Sequence, residues 1–222
     1  FFKQKTAYEI YQCDWSSDVC SSDLKTIYHR NAPIITGAPP AKPTYPGTFF
    51  GTAGSALFRA ASLWDDLEAA GVPGITGVWK VPGGGSRFLN VISIKQLHPG
   101  HAKMVGMVAV GCGSAAYLGR VVIVVDDDID ITDPAEVMWA VATRWDPKTQ
   151  TDIIDGCWTG KIDPMLSEEK REAGDLTTSR MIVYAVRPYH WKDQFPKVNT
   201  VSKEYADKVR KKWADKLEFL KS

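Results

Sequence analysis

Between Gly54 and Ala70 the apolar residues Leu57, Ala61, Trp64 and Leu67 recur at three- and four-residue intervals. Gly71 and Pro73 then end the pattern, which predicts an amphipathic helix with its apolar stripe on a sheet. Ile75–Val81 and Phe88–Ile94 are short runs rich in apolar and β-branched residues. They predict two strands of a hairpin whose long tip carries GGGS, Gly83–Ser86. His98, Pro99 and Gly100 open a second helix through Val110, which Gly111 and Gly113 stop. Val121–Val125 shows no polar alternation at all, and a continuous β-branched run is what a strand buried on both faces requires. Asp133 as N-cap, Pro134 at the first helical position and Glu136 in the first turn start another helix, which passes Met138, Val141 and Ala142 and ends before Pro147. At the far end Tyr205, Val209, Trp213, Leu217 and Leu220 mark an apolar stripe on a helix that must dock against its own chain or a partner. These elements predict an α/β fold, a layered sheet with helices on both faces, plus a C-terminal amphipathic helix.

The first residues do not fit this picture. FKQKTAYEI at Phe2–Ile10 and DWSSDVCSSDL at Asp14–Leu24 are what a common short-read sequencing adapter encodes when translated, with room between them for a sample index. A targeting peptide would need a basic start, an apolar core and a small-residue cleavage site, and none is present. Residues 1–24 are therefore expected to be non-native. Setting them aside removes Lys3 and Lys5 against Glu9, Asp14, Asp18 and Asp23, and leaves 25 basic residues facing 22 acidic ones. Such a small excess does not point to nucleic acid, which would need clustered cations on one face. The one cluster, Lys208, Lys211, Lys212 and Lys216, falls with acids on the solvent side of the last helix. Cys13 and Cys20 also go, so Cys112 and Cys157 remain, far apart and without CxxC spacing, and neither a disulfide framework nor a zinc site is indicated. No apolar run is long enough to span a membrane, and a reducing cytoplasm is the expectation.

Several groups invite a chemical reading. Asp126, Asp127, Asp128 and Asp130 could bind a hard cation, but acids at the end of a buried strand also turn the chain and cap helices. A calcium loop would need a glycine and a distal glutamate that are missing here. The acids are read as structural. The glycines at 83–85 and at 111, 113 and 119 lack dinucleotide or GK[ST] spacing and read as turns. His101, one residue into a helix, reads as a capping or packing group rather than a general base. No GxSxG elbow appears.

Three stretches in order resemble the UbiD-like decarboxylases: KTIYHRNAPI at Lys25–Ile34, SIKQLHPGHA at Ser93–Ala102 and, most specifically, VVIVVDDDIDITDPAEVMWAVATRWDP at Val121–Pro147. CWTGKIDPML at Cys157–Leu166 and TTSRMIVYAVRPYHWKDQFP at Thr177–Pro196 extend the likeness. The resemblance implies a carboxy-lyase: reversible, non-oxidative decarboxylation of an aromatic or α,β-unsaturated carboxylic acid with prenylated FMN. Its phosphate would be held through a divalent metal, Mn2+, with K+ nearby. The cofactor would take up the developing charge while protein groups orient the acid and move protons.

The family's arginine and two glutamates, its metal ligands and most flavin contacts precede the strand that KTIYHR resembles. No catalytic or metal-ligating residue is therefore expected here, and the chain alone is expected to be inactive. What carries over is pocket lining: Trp79, Tyr117, Leu118, Arg120, Trp158 and Ile162, with Arg120 at a position that is basic in some members. For Trp79 and Trp158 ordinary core packing is an equal alternative. The organisation implied is 1–24 adapter-derived, 25–47 the end of a flavin-binding domain and a Pro-rich linker, 48–200 a C-terminal α/β oligomerisation domain, and 201–222 a docking or exchanged helix. A homo-oligomer is implied, with a small carboxylic acid as the other partner. The competing expectation is a non-catalytic assembly subunit on the same scaffold, and a weaker one is a small-molecule binding domain built on the glycine loops.

Overall fold

A computed structural model of the chain describes residues 28, 30–32, 34 and 49–213, with side-chain environments from Ala56 onward. The adapter-like segment, most of the KTIYHR segment and of the Pro-rich linker, and the positions of Leu217 and Leu220 lie outside the described residues.

The chain divides into two compact units, 1–190 and 191–222. In the first, helix α1 (Phe49–Ala69) leads into strand β1 (Ile75–Lys80), a short 3-10 turn (Pro82–Gly84) and strand β2 (Leu89–Ile94). Helices α2 (His101–Gly111) and α3 (Gly113–Ala116) precede strand β3 (Val121–Asp126), and helix α4 (Pro134–Arg144) follows it. Strand β4 (Thr151–Trp158), helix α5 (Glu168–Glu172) and strand β5 (Thr177–Ala185) complete the unit. The second unit holds helix α6 (Lys203–Trp213), where Tyr205, Val209 and Trp213 are exposed.

The strands form one sheet in the order β1-β2-β3-β5-β4, with β2, β3 and β5 parallel and the outer pairs antiparallel. β1 and β2 are the expected hairpin. β3 lies at the centre and is buried from Val122 to Asp126, as an unbroken β-branched run between two helical layers requires. One core lies under α1 and α2, where Leu63, Leu67, Val105 and Ala109 meet Ile92, Val124 and Ile182. The other lies under α4, where Val137 and Ala140 meet Val91, Ile123, Val125 and Val183. Helices thus cover both faces, as the pattern predicts.

The structure corrects three readings of detail. On α1 the buried positions are Ala56, Ala60, Leu63 and Leu67; of the predicted stripe Leu67 is buried and Trp64 packs partly buried against the core, whereas Leu57 and Ala61 face outward. Small alanines let the helix lie close to the sheet, so the largest side chain of a pair is not the inward one. On α4 the inward positions are Val137, Ala140 and Arg144, whereas Met138 and Ala142 are exposed. α2 begins at His101 with Gly100 in the left-handed region (φ 79°), so His98 and Pro99 belong to the preceding turn. The hydrophobic pattern does not mark β4 or β5. β4 is a half-exposed edge strand broken by a register shift between Ile154 and Cys157, and such a strand carries little periodicity.

Candidate functional site

Lys80 ends β1, Asn90 lies in β2, Arg87 and Phe88 precede β2, Arg120 precedes β3, and Trp158 ends β4. The register Lys80↔Asn90, Leu89↔Val121, Val121↔Met181 and Trp158↔Thr177 places all of them at one edge of the sheet, at the amino ends of the parallel strands. Ligands of open α/β sheets more often lie beyond the carboxyl ends. Here that opposite edge is filled by an ion-pair network. Asp126 accepts from Arg144 (2.9 Å), from the backbone N–H and Nε of Arg187 (2.9 and 3.1 Å) and from Gln96 (2.7 Å). Asp128 takes both Arg144 Nη groups at 2.7 Å. The Arg144 hydrogen bond holds Asp128 below the usual carboxylate range. Asp126 and Asp128 of the acidic run are thus engaged as partners of Arg144 and Arg187. Among the described residues no three His, Cys, Asp or Glu side chains gather to hold a metal.

At the amino edge the loop after α3 is rigidly held. Leu118 is buried and sits at φ 64°, a left-handed conformation that a branched, bulky residue adopts only under constraint. Gly119 packs on the Ala115 carbonyl oxygen so closely that a Cβ would collide with it, and Gly160 meets the Tyr117 ring in the same way. Arg180 fastens this loop from below. It is buried in β5 and donates to the carbonyls of Val110 (2.7 Å), Ala116 (2.5 Å) and Trp158 (2.6 Å). Val110 and Ala116 lie in the last turns of α2 and α3, where carbonyls point outward without intrahelical partners and favour a cation.

The loop presents a wall of rings and guanidinium groups. Tyr117 and Trp158 have centroids 5.9 Å apart at 43°. The Arg87 guanidinium lies 4.7 Å over the Tyr117 ring, and that of Arg120 lies 5.4 Å over Phe88. Arg120 also pairs with Asp163, which in turn accepts from Thr159 (2.8 Å) and the Met165 backbone (2.9 Å). Burial works against the charged Asp163, but Arg120 and these donors hold it below the usual range.

Of the pocket residues expected from the sequence, Tyr117, Leu118, Arg120 and Trp158 therefore meet in one wall. Ile162 is exposed in the turn closed by Asp163. Trp79 is half-buried in β1, cross-strand from Val91 and packed against the first core. His101 is fully buried: Nδ1 accepts from the Leu97 N–H (3.2 Å) while Nε2 lies 2.9 Å from the Pro73 carbonyl, so the ring is a neutral structural bridge.

Sequence reasoning missed Lys80, Arg87, Asn90, Asp163 and Arg180. A signal existed for two of them: Lys80 is in phase with Val78, and Arg180 with Ile182 and Tyr184, so each is a charge at an inward position of a strand. Lys80 is 1 % exposed and its one hydrogen bond runs to the Ser114 carbonyl (2.9 Å). Burial, with Arg59 and Arg87 close by, lowers its ammonium to about 8.

Comparison with known proteins fits this geometry. The family model for the 3-octaprenyl-4-hydroxybenzoate carboxy-lyase (UbiD) C-terminal domain matches residues 54–185. The UbiD-class enzyme HmfF from Pelotomaculum thermopropionicum, solved in complex with FMN, superposes with a TM-score of 0.57 at 31% identity, over 67% of this chain and 32% of that one. The apo 3,4-dihydroxybenzoic acid decarboxylase of Enterobacter cloacae shares the fold, with a TM-score of 0.60 at 22% identity over 71% of this chain and 33% of that one. An uncharacterized protein of Aeropyrum pernix is 27% identical over 141 residues, which are 64% of this chain and 28% of that protein. The chain thus spans about a third of the length of these relatives. With the family model covering more than half of its residues, the chain belongs to the UbiD family of carboxy-lyases and carries that family's C-terminal domain.

Proposed function

We propose that this chain is the C-terminal part of an enzyme that reversibly decarboxylates an aromatic or α,β-unsaturated carboxylic acid with prenylated FMN. The observation that carries the reading is the wall at the amino edge: Tyr117 and Trp158 side by side, Arg87 over Tyr117, and beside Tyr117 a buried Leu118 held in a strained, left-handed conformation. Strain held in place by surrounding structure is characteristic of functional loops. π faces and guanidinium groups suit a flat, anionic ligand. When bound, the flavin would supply the electron sink for the departing carboxylate. In this chain Tyr117 and Trp158 would border the ring system, Leu118 would exclude water, and Arg120, fixed by Asp163, would orient the acid. Proton transfer, Mn2+ and K+ would be handled by residues outside the described ones. The site's place in a homo-oligomer of cytoplasmic enzyme, with the C-terminal helix as the exchanged element, belongs to the same proposal. No described helix is long and apolar enough to cross a membrane.

The test uses the complete open reading frame from the source DNA, loaded with prenylated FMN and offered a panel of aromatic and acrylic acids. Carbon dioxide release that falls on Arg120→Ala and Tyr117→Ala, without loss of the fold, supports the reading. Full folding and cofactor loading with no turnover of any acid, and no exchange of labelled carbon dioxide, would instead favour the assembly subunit. Deleting 203–222 is expected to lower the oligomeric mass in light scattering, and an unchanged mass sinks the role given to the helix.

A further inference from the structure

Lys80 and Asn90 are cross-strand neighbours on the same face of the sheet, and each lacks partners that a buried polar group needs. Asn90 is fully buried, and among the described residues neither its Nδ2 nor its Oδ1 has a hydrogen-bond partner. An orphaned amide of this kind costs roughly 1–3 kcal/mol per unmet group unless something fills its place. Lys80 uses one of its three N–H donors, on Ser114.

The charge around the pair is one-sided. Arg59 of α1 and the half-buried Arg87 both act on Lys80 as like charges, and Arg59 and Arg87 act on each other. Among the described residues the carboxylate that acts on Lys80 is Asp66, which does so weakly and already accepts the Ser114 backbone N–H at 3.0 Å. Among the described residues the Lys80 ammonium is thus buried beside an orphaned amide, with one carbonyl acceptor and one carboxylate that is already committed, and an under-compensated cation in a buried site favours an anion.

We propose that Lys80 and Asn90, flanked by Arg59 and Arg87, form a buried site for an oxyanion, either a phosphate or a carboxylate group. Lys80 and the Asn90 Nδ2 donate to the oxyanion, the two guanidinium groups balance its charge, and Asn90 Oδ1 accepts from the anion's own hydroxyl or a companion water. The site consists of this chain's own atoms, so its fate is independent of whether the parent enzyme decarboxylates anything.

The test is titration of the 222-residue chain, at low salt, with inorganic phosphate in one series and benzoate in another. The Asn90 side-chain amide is followed by NMR and the melting temperature is measured alongside. A saturable Asn90 shift with rising melting temperature is expected. A response to phosphate alone assigns a phosphate site, and a response to benzoate alone a carboxylate site. Lys80→Met removes a charged hydrogen bond of about 1.5–3 kcal/mol, so affinity should fall tenfold or more. Asn90→Asp, which installs the missing carboxylate, should fold and lose the response. If neither anion moves the Asn90 amide up to tens of millimolar, or if both variants respond as the wild type does, no anion binds there and the proposal fails.

Discussion

Lys80→Met is the substitution whose effect the structure fixes most sharply, because its sign reverses with pH. The ammonium is buried at the end of β1 with one backbone acceptor and no carboxylate of its own. Its pKa falls from 10.5 to about 8. That lowering corresponds to about 3 kcal/mol of penalty for carrying the charge in the folded state. The unfolded chain holds the proton more tightly than the folded one. Stability therefore rises with pH between about 8 and 10.5, and the full penalty is present below about 8.

Methionine keeps the length and packing of the stem without the charge. It gives up the bond to Ser114, worth about 1 kcal/mol. The variant should be more stable than the wild type by about 2 kcal/mol at pH 6.5, which is about 4–8 °C in melting temperature for a unit of this size. The advantage should disappear, or slightly reverse, by pH 10.5. Urea unfolding at pH 6.5, 8 and 9.5 in low-salt buffer without phosphate measures this directly. A variant that is less stable at pH 6.5, or a difference that does not change with pH, would show that Lys80 is compensated by groups the argument leaves out.

Four further substitutions probe the framework. Gly119→Ala drives a Cβ into the Ala115 carbonyl and should cost about 1–3 kcal/mol; a melting temperature within a degree of wild type would refute the packing argument. Arg180→Met strands the carbonyls of Val110, Ala116 and Trp158. It should cost about 3 kcal/mol by chemical denaturation, and the Trp158 emission should change as its loop loosens. Asp126→Asn removes the buried partner of Arg144 and Arg187 and should cost about 3–5 kcal/mol. In the wild type the Arg144 bond to Asp128 contributes stability that is present above the carboxylate's unfolded pKa and is lost as pH falls through its lowered folded value, so Arg144→Met should bring acid unfolding to a higher pH.

How much of this molecule could be read from its sequence follows from where each side chain's environment comes from. Val121–Val125 and the Asp133–Pro134 cap are legible because their causes are local: a β-branched run with no polar relief, and an aspartate whose side chain caps the Ala135 N–H. The phase of α1 is not local. Ala56, Ala60 and Leu63 point inward because the sheet lies close beneath them, while Leu57 stays outside. No count of apolar residues separates two overlapping stripes when both contain a leucine. The same holds more strongly for β4, whose edge position and bulge erase the alternation that would announce it.

The site divides along the same line. Resemblance found Tyr117, Leu118, Arg120 and Trp158, residues that form the wall, but it was silent on why the wall stands. That depends on Arg180, 60 residues beyond Arg120 in the chain yet level with it in the sheet, since Val121 pairs with Met181. A charge in phase with the core face of a strand, as Arg180 and Lys80 both are, is the one sequence mark of such groups. Each must be matched by something inside the fold. For Arg180 the match is the carbonyl ends of two helices. For Lys80 the described residues supply one carbonyl and an unpartnered asparagine beside it, and this shortfall is the physical reason to expect an anion there.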